Sequence, residues 1–117
     1  MYKIKLASIY LISHSSGYYY LGMSTDTFSR WSNHYNDLCM NKHSSVLFNQ
    51  LWNETKPEEW NWQVLEYVSL TKFKLTHTLK GKLLTTGFRR HLLSREKYYM
   101  NNFSINLALN KDNKHFK

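Results

Sequence analysis

Two short runs of β-forming residues, separated by a four-residue turn sequence, place the strongest limit on how this chain can fold. Residues 5–13 alternate in polarity and are rich in β-forming side chains, and residues 18–21 form a second run of the same kind. Between them lies the polar sequence His14-Ser15-Ser16-Gly17. Neighbouring runs joined in this way pair as antiparallel strands. We therefore predict a β-hairpin whose second strand ends at Gly22.

The spacing of apolar residues predicts the next three elements. Over residues 28–38 they recur at i, i+3, i+7 and i+10, which indicates a helix, and a shorter helix is predicted over residues 46–52. Aromatic and β-branched residues predict a third strand over residues 60–67. Side chains suited to helix N-caps precede the two helices, at Ser24, Thr25 and Asp26 and at Ser44 and Ser45. We expect six aromatic residues of these elements to lie in the core: Phe28, Trp31, Phe48, Trp52, Trp60 and Trp62.

A basic segment and a last helix complete the chain. Gly81, Gly87 and several threonines weaken the helical pattern of the insert over residues 71–90, which we predict to be a loop with some helix. The apolar stripe of the last helix contains Leu92, Leu93, Tyr99, Met100 and Phe103. The order β-β-α-α-β-insert-α is typical of a small α+β fold. We expect the 117 residues to form a single domain, with a core over residues 7–109 and a frayed polar tail over residues 110–117.

Positive charge is concentrated in one part of the chain. The sequence contains 16 Lys and Arg against 8 Asp and Glu, for a net charge of +8. Residues 71–95 hold seven basic residues and no acidic one: Lys72, Lys74, Lys80, Lys82, Arg89, Arg90 and Arg95. Such a stretch is typical of a nucleic-acid-binding surface, although a merely solvated cationic face has the same signature. The single Cys39 and the absence of a long apolar run predict a cytoplasmic protein with no membrane partner.

Several polar residues are candidates for chemistry. Glu96 occupies the i+4 position of the last apolar stripe, where an ionised carboxylate needs a partner. A salt bridge to Arg95, Lys97 or another nearby cation and a metal-binding or catalytic role both stay open. Arg30 and His34 are four residues apart on one helix face, where two exposed polar residues are the simpler interpretation. The spacing of His34, Cys39 and His43 suggests zinc, but no fourth ligand is evident.

Two tyrosine-bearing tripeptides come before these candidates in a set order. Ser8-Ile9-Tyr10 precedes Tyr20-Leu21-Gly22, Arg30 follows Tyr20 by ten residues, and His34 lies four residues further on. This set resembles the GIY-YIG nuclease family, and within it the catalytic domain of phage intron-encoded homing endonucleases. Residues 43–45 and 64–66, Arg95-Glu96 and Asn106 extend the resemblance over roughly residues 7–109. Ser8 stands in place of the motif's first glycine and Leu21 in place of its isoleucine.

The resemblance implies a fold and a set of roles. The fold is a small domain with a three-stranded antiparallel sheet flanked by helices. Glu96 is implied to hold Mg²⁺ or Mn²⁺, Arg30 to clamp a phosphate oxygen, and Tyr10, with Tyr20 beside it, to orient or deprotonate the attacking water. His34 assists proton transfer or holds a phosphate. The implied accessory residues are His43 and Asn106.

The implied activity is metal-dependent hydrolysis of phosphodiester bonds in DNA, most naturally double-stranded, by a free-standing homing-type or phage-type endonuclease in a bacterial or phage-infected cell. The basic insert is expected to contact the DNA backbone through Lys72, Lys74, Lys80, Lys82, Arg89 and Arg90. Because one site cuts one strand, a homodimer or a separate DNA-targeting partner is a further expectation. The alternatives are a non-catalytic nucleic-acid-binding module on the same fold and a nuclease for structured RNA.

Overall fold

The predicted α+β architecture is confirmed, with a three-stranded antiparallel sheet of order β2-β1-β3 flanked by helices. The computed structural model describes residues 5–77 and 79–110. Its strands and helices, in chain order, are β1 (Ser8–His14), β2 (Tyr19–Ser24), α1 (Thr27–Cys39), α2 (Val46–Glu54), β3 (Trp60–Tyr67), α3 (Leu70–Thr76) and α4 (Gly81–Met100). Two short 3-10 turns, Pro57–Glu59 and Ile105–Leu107, lie before β3 and after α4.

The N-terminal hairpin forms as predicted, but its second strand is longer. Tyr10 lies opposite Gly22 and Ile12 lies opposite Tyr20 in the ladder between β1 and β2. Gly17 has a φ of +106° in the turn, a conformation that residues with a side chain rarely adopt. Because Gly22 pairs with Tyr10 inside the ladder, β2 continues beyond it, and the prediction that Gly22 ends the strand is wrong.

The sheet separates two apolar clusters because alternate residues of a strand face opposite sides. Ile9 and Leu11 of β1 pack in one cluster with Phe88 and Leu92 of α4. The other face of the hairpin packs against α1 and α2, in a cluster that contains Tyr10, Ile12, Tyr20, Leu38, Phe48, Trp52 and Trp60. The two tyrosines of the motif therefore lie on the sheet face that α1 and α2 cover.

The basic insert is helical rather than a loop. Ser69 caps α3 by accepting a hydrogen bond from the Lys72 backbone N–H, and α4 begins at Gly81, well before the predicted last helix. Phe73 anchors α3 in the core with its ring 5.5 Å from that of Phe88. Burial of these rings outweighs the weak helical propensity of the segment, which local sequence alone does not reveal.

Helix α1 buries a different stripe from the predicted one. Asp26 caps it by accepting a hydrogen bond from the Ser29 backbone N–H, and its buried residues are Thr27, His34 and Leu38. Of the six aromatic residues expected in the core, Phe48, Trp52 and Trp60 are buried, Trp31 and Trp62 are half-buried, and Phe28 is 49% exposed. His34 at 3% exposure also excludes the interpretation of an exposed polar residue.

The first residue of the predicted polar tail is not frayed. Asn110 is only 2% exposed, so it belongs to the packed domain. Residues 111–117 lie outside the described residues, and the frayed tail stays a prediction there. Within the described part of the chain, the structure contains no helix of the length and apolarity needed to cross a membrane.

Candidate active site

A cleft of about 1350 Å³ lies where β2 approaches α4. Its lining comes from β1 and β2, from Arg30 on α1, and from α3 and α4. Four of the residues predicted to be catalytic line it: Tyr10, Tyr20, Arg30 and Glu96. The fold therefore brings together side chains from four different elements, β1, β2, α1 and α4.

The position of Tyr10 depends on the glycine opposite it. A Cβ at Gly22 would lie 2.5 Å from the Tyr10 hydroxyl oxygen and 2.5 Å from its Cζ. The phenol ring therefore crosses β2 directly over Gly22, in space that any larger residue would fill. This close approach is the physical reason for a glycine in the tripeptide Tyr20-Leu21-Gly22.

A chain of hydrogen bonds leads from Tyr10 away from the cleft. The Tyr10 hydroxyl lies 2.7 Å from His34 Nε2, and His34 Nδ1 lies 2.7 Å from His43 Nε2. The Ser45 backbone N–H donates to His43 Nδ1 at 2.9 Å. The two imidazoles stack with ring centroids 4.9 Å apart. Two predicted residues, His34 and His43, thus stand behind Tyr10 and connect it to the start of α2.

The hydrogen-bond chain assigns the protons on the two neutral imidazoles. His43 Nδ1 accepts from the Ser45 backbone N–H, so the His43 proton is on Nε2 and is donated to His34 Nδ1. The proton of His34 is then on Nε2, from which it is donated to the Tyr10 oxygen. Burial, with Arg30 and His43 adding to it, lowers the pKa of His34 to about 3, so this arrangement holds at neutral pH.

Opposing effects act on the Tyr10 hydroxyl. Burial is the largest and raises the pKa of Tyr10 well above its usual value, and the neighbouring Tyr20 raises it further. Arg30 lowers the pKa of Tyr10, in the predicted direction, but does not outweigh burial. Tyr10 is therefore protonated in the protein alone, with its oxygen accepting from His34 and its own proton available to a group in the cleft.

Glu96 is buried without a partner. It is 2% exposed on α4 and forms no hydrogen bond or salt bridge with the residues that the structure describes. Burial raises the pKa of Glu96 to about 7, and the charge of Arg89 opposes this rise.

The salt bridge considered from sequence does not form. Arg95 instead binds Glu66 on β3 with two nitrogens, at 2.7 Å from Nη2 and 2.9 Å from Nε, and the Tyr99 hydroxyl donates to the same carboxylate at 3.0 Å. This contact joins α4 to β3 next to Glu96. Because Arg95 is engaged there, the carboxylate of Glu96 stays unpaired beside the cleft.

A different asparagine from the predicted one lines the cleft. Asn106 is exposed in the 3-10 turn after α4 and is not among the lining residues. Asn110 lines the cleft, and its Nδ2 donates to the Leu21 carbonyl oxygen at 2.7 Å. Its buried Oδ1 has no hydrogen-bond partner in the described structure. Sequence reasoning missed Asn110 because this residue follows the last apolar residues of the chain. Asn110 lies beside β2 only because residues 108–109 pair with Tyr19.

The predicted nucleic-acid-binding residues separate into two groups. Lys74 and Arg89 line the cleft, and Lys5 joins them from the segment before β1. The others, which are exposed outside it, are Lys72, Lys80, Lys82 and Arg90.

The protein side chains offer few metal ligands. Between residues 5 and 110, Thr78 excepted, no three His, Cys, Asp or Glu side chains form a group that could hold a metal ion. Cys39 is exposed, and the facing nitrogens of His34 and His43 bind each other, which disfavours the zinc interpretation. The Glu96 carboxylate lies at the cleft without a hydrogen-bond partner among the described residues, and carboxylate oxygens are ligands that Mg²⁺ prefers.

Two solved structures share this arrangement of strands and helices. One, the catalytic domain of intron endonuclease I-TevI in a mutant form, aligns over 88% of this chain and 90% of its own, with a TM-score of 0.65 and 19% sequence identity. The other, the catalytic domain of homing endonuclease I-TevI, aligns over 83% and 87%, with a TM-score of 0.60 and 19% identity. This chain has the I-TevI catalytic-domain fold.

The I-TevI fold agrees with the predicted GIY-YIG resemblance, which is confirmed at the level of the fold. No protein-family profile matches the sequence. No curated protein matches it either. At this identity the likeness to I-TevI establishes the fold, and the chemistry must be argued from the cleft itself.

Proposed function

We propose that this protein is a divalent-metal-dependent endonuclease that hydrolyses phosphodiester bonds in DNA. The observation that carries the proposal is that Tyr10, Arg30 and the unpaired Glu96 line the same cleft. Phosphodiester hydrolysis needs an oriented water, a donor for the phosphate oxygens and stabilisation of negative charge. These three side chains have the chemistry to supply those needs.

Arg30 would bind the scissile phosphate. Its guanidinium presents several donors in a plane, which suits two phosphate oxygens better than a lysine does. Arg30 interacts electrostatically with Tyr10 and Tyr20, which line the same cleft. A phosphate bound to Arg30 would therefore lie within reach of the tyrosine hydroxyls.

Tyr10 would hold the attacking water, with Tyr20 beside it. Because His34 donates to the Tyr10 oxygen, the hydroxyl has one orientation rather than several. His43 fixes His34 in turn, so both histidines act on the water through Tyr10. Asn110 rather than Asn106 would be the accessory amide, because only Asn110 lines the cleft.

Glu96 would hold one Mg²⁺ or Mn²⁺ together with water ligands. The ion, when bound, supplies positive charge that stabilises the phosphorane-like transition state. The raised pKa of Glu96 fits this role, since a buried carboxylate without a partner is stabilised as an anion by a cation.

DNA is the proposed substrate because both neighbours in the fold comparison are endonuclease domains and one is named a homing endonuclease. The proposal also includes a homing-type or phage-type enzyme of a bacterial or phage-infected cell. Double-strand cleavage by a single-site enzyme would need two copies or two successive nicks, so a homodimer or a targeting partner remains part of the proposal.

The test is nicking of supercoiled plasmid by the purified protein with Mg²⁺, with Mn²⁺ and with EDTA. We expect cutting that requires the metal and falls at least about 100-fold in Glu96→Gln. Glu54→Gln is the matched control, because Glu54 is exposed at the end of α2. DNA binding without cutting by the wild type would favour the non-catalytic module, and faster cutting of a structured RNA would favour the RNA nuclease.

A further inference from the structure

The charges that line the cleft are strongly unbalanced. Within the described residues, the lining includes four cations, Lys5, Arg30, Lys74 and Arg89, and one carboxylate, Glu96. We infer that Lys74 and Arg89 contact backbone phosphates next to the one held by Arg30, whereas the other basic residues of the insert provide only long-range attraction. This inference rests on the proposed DNA cleavage and identifies which cations bind the substrate strand.

On α3, the cleft-lining lysine and its neighbour point in different directions. Lys72 and Lys74 are two residues apart, so their side chains leave the helix about 200° apart. Phe73 between them is buried against Phe88, with its ring also 5.5 Å from that of His91. This anchor fixes the rotation of α3, so that Lys74 lines the cleft and Lys72 does not.

On α4, one of two adjacent arginines lines the cleft and the other does not. Arg89 precedes Glu96 by seven residues, or about two helical turns, and therefore shares its face of the helix. Both residues line the cleft. Arg90 leaves the helix about 100° away from Arg89 and does not line the cleft.

Glu96 is the one carboxylate of the described cleft lining, so it cannot balance both cations of this wall. Residues 71–95 contain no Asp or Glu, and neither Lys74 nor Arg89 forms a salt bridge with a described residue. Arg30 lines the same cleft from α1, so a strand bound there would meet cations from α1 as well as from α3 and α4. A nucleic-acid backbone carries a negative charge at each phosphate and suits this series of separated cations.

The experiment measures binding in the Glu96→Gln protein, where cleavage and the charge of Glu96 are both removed. Affinity for a labelled 20-base-pair DNA duplex is measured at several salt concentrations, with an RNA hairpin as a second probe. Each cleft cation is compared with its own neighbour: Lys74→Gln with Lys72→Gln, and Arg89→Gln with Arg90→Gln. All four side chains are exposed, so the variants should fold, which circular dichroism checks.

We expect Lys74→Gln and Arg89→Gln each to weaken duplex binding by about 5- to 10-fold and to reduce the slope of log K against log salt by about 0.9. Lys72→Gln and Arg90→Gln should each weaken duplex binding by less than about twofold. Equal losses within both pairs would overturn this inference while leaving DNA binding intact. Failure of the parent to bind the duplex, or a clear preference for the RNA hairpin, would overturn the proposed DNA substrate and this inference with it.

Discussion

Replacing Glu96 with Gln should stabilise the metal-free protein, and the gain should grow as the pH rises. The folded pKa of this carboxyl, about 7, is above the value of 4.5 expected for the unfolded chain. Below the unfolded pKa the neutral carboxyl imposes no charge penalty. Between the two pKa values the unfolded chain is ionised while the folded protein still holds the proton, so the free energy of unfolding falls as the pH rises. The loss is complete once the pH has risen through the folded pKa and the buried carboxyl is ionised. Glutamine has nearly the same shape and no charge, so it avoids the loss.

The size of the effect follows from the difference between the two pKa values. At about 1.36 kcal/mol per pH unit, the change from 4.5 to about 7 sets an upper limit of about 3 kcal/mol. Glu96 lies beside an open cleft rather than in a closed core, so solvent reduces the penalty to about 2 kcal/mol. For a domain of this size that corresponds to roughly 6–10 °C in Tm.

Thermal and urea unfolding at pH 5.0 and pH 8.5, both in EDTA, measure the difference. Glu66→Gln is the control, because Arg95 lowers the pKa of Glu66 and the same substitution there should destabilise the protein at pH 8.5. Added Mg²⁺ should stabilise the wild type at pH 8.5 and leave Glu96→Gln unchanged. The reasoning is refuted if Glu96→Gln is no more stable than the wild type at pH 8.5, or if its advantage is equally large at pH 5.0.

Two further substitutions test how Tyr10 is held. Gly22→Ala places a Cβ 2.5 Å from the Tyr10 hydroxyl oxygen, so the phenol ring must shift. We expect cleavage to fall by at least about 100-fold while far-ultraviolet circular dichroism stays that of the folded protein. Retained activity would show that the ring position does not matter. His43→Phe keeps an aromatic ring at that position but removes the donor to His34, and we expect a loss of about tenfold in cleavage rate, the cost of one buried hydrogen bond. An unchanged rate, measured on the same plasmid substrate, would show that His34 is oriented without His43.

The sequence predicted the elements whose signals are local. The hairpin has a turn sequence with glycine at its left-handed position, and α1 and α2 are capped by Asp26 and Ser45, two of the predicted caps. The helical insert was not predictable in this way. Its weak propensity is overcome by burial of Phe73 and Phe88, residues that meet only after the two helices fold against the sheet.

The candidate site likewise contains residues that the sequence predicted and one that only the structure reveals. Tyr10, Tyr20, Arg30 and Glu96 follow one another in an order that resembles a known family, and their presence at one cleft agrees with that order. Asn110 has no such signal, because its place depends on residues 108–109 pairing beside Tyr19.

What the sequence determined by itself was the α+β class, the hairpin, the concentration of positive charge and the identity of four cleft residues. Only the tertiary structure decided that Glu96 is unpaired, that His43 and Ser45 fix the proton on His34, and that Lys74 and Arg89 line the cleft while Lys72 and Arg90 do not. The physical reason is that hydrogen-bond partners and helix rotation are set by packing between distant elements. Spacing along the chain gives the side chains available to a site, and packing determines which of them meet.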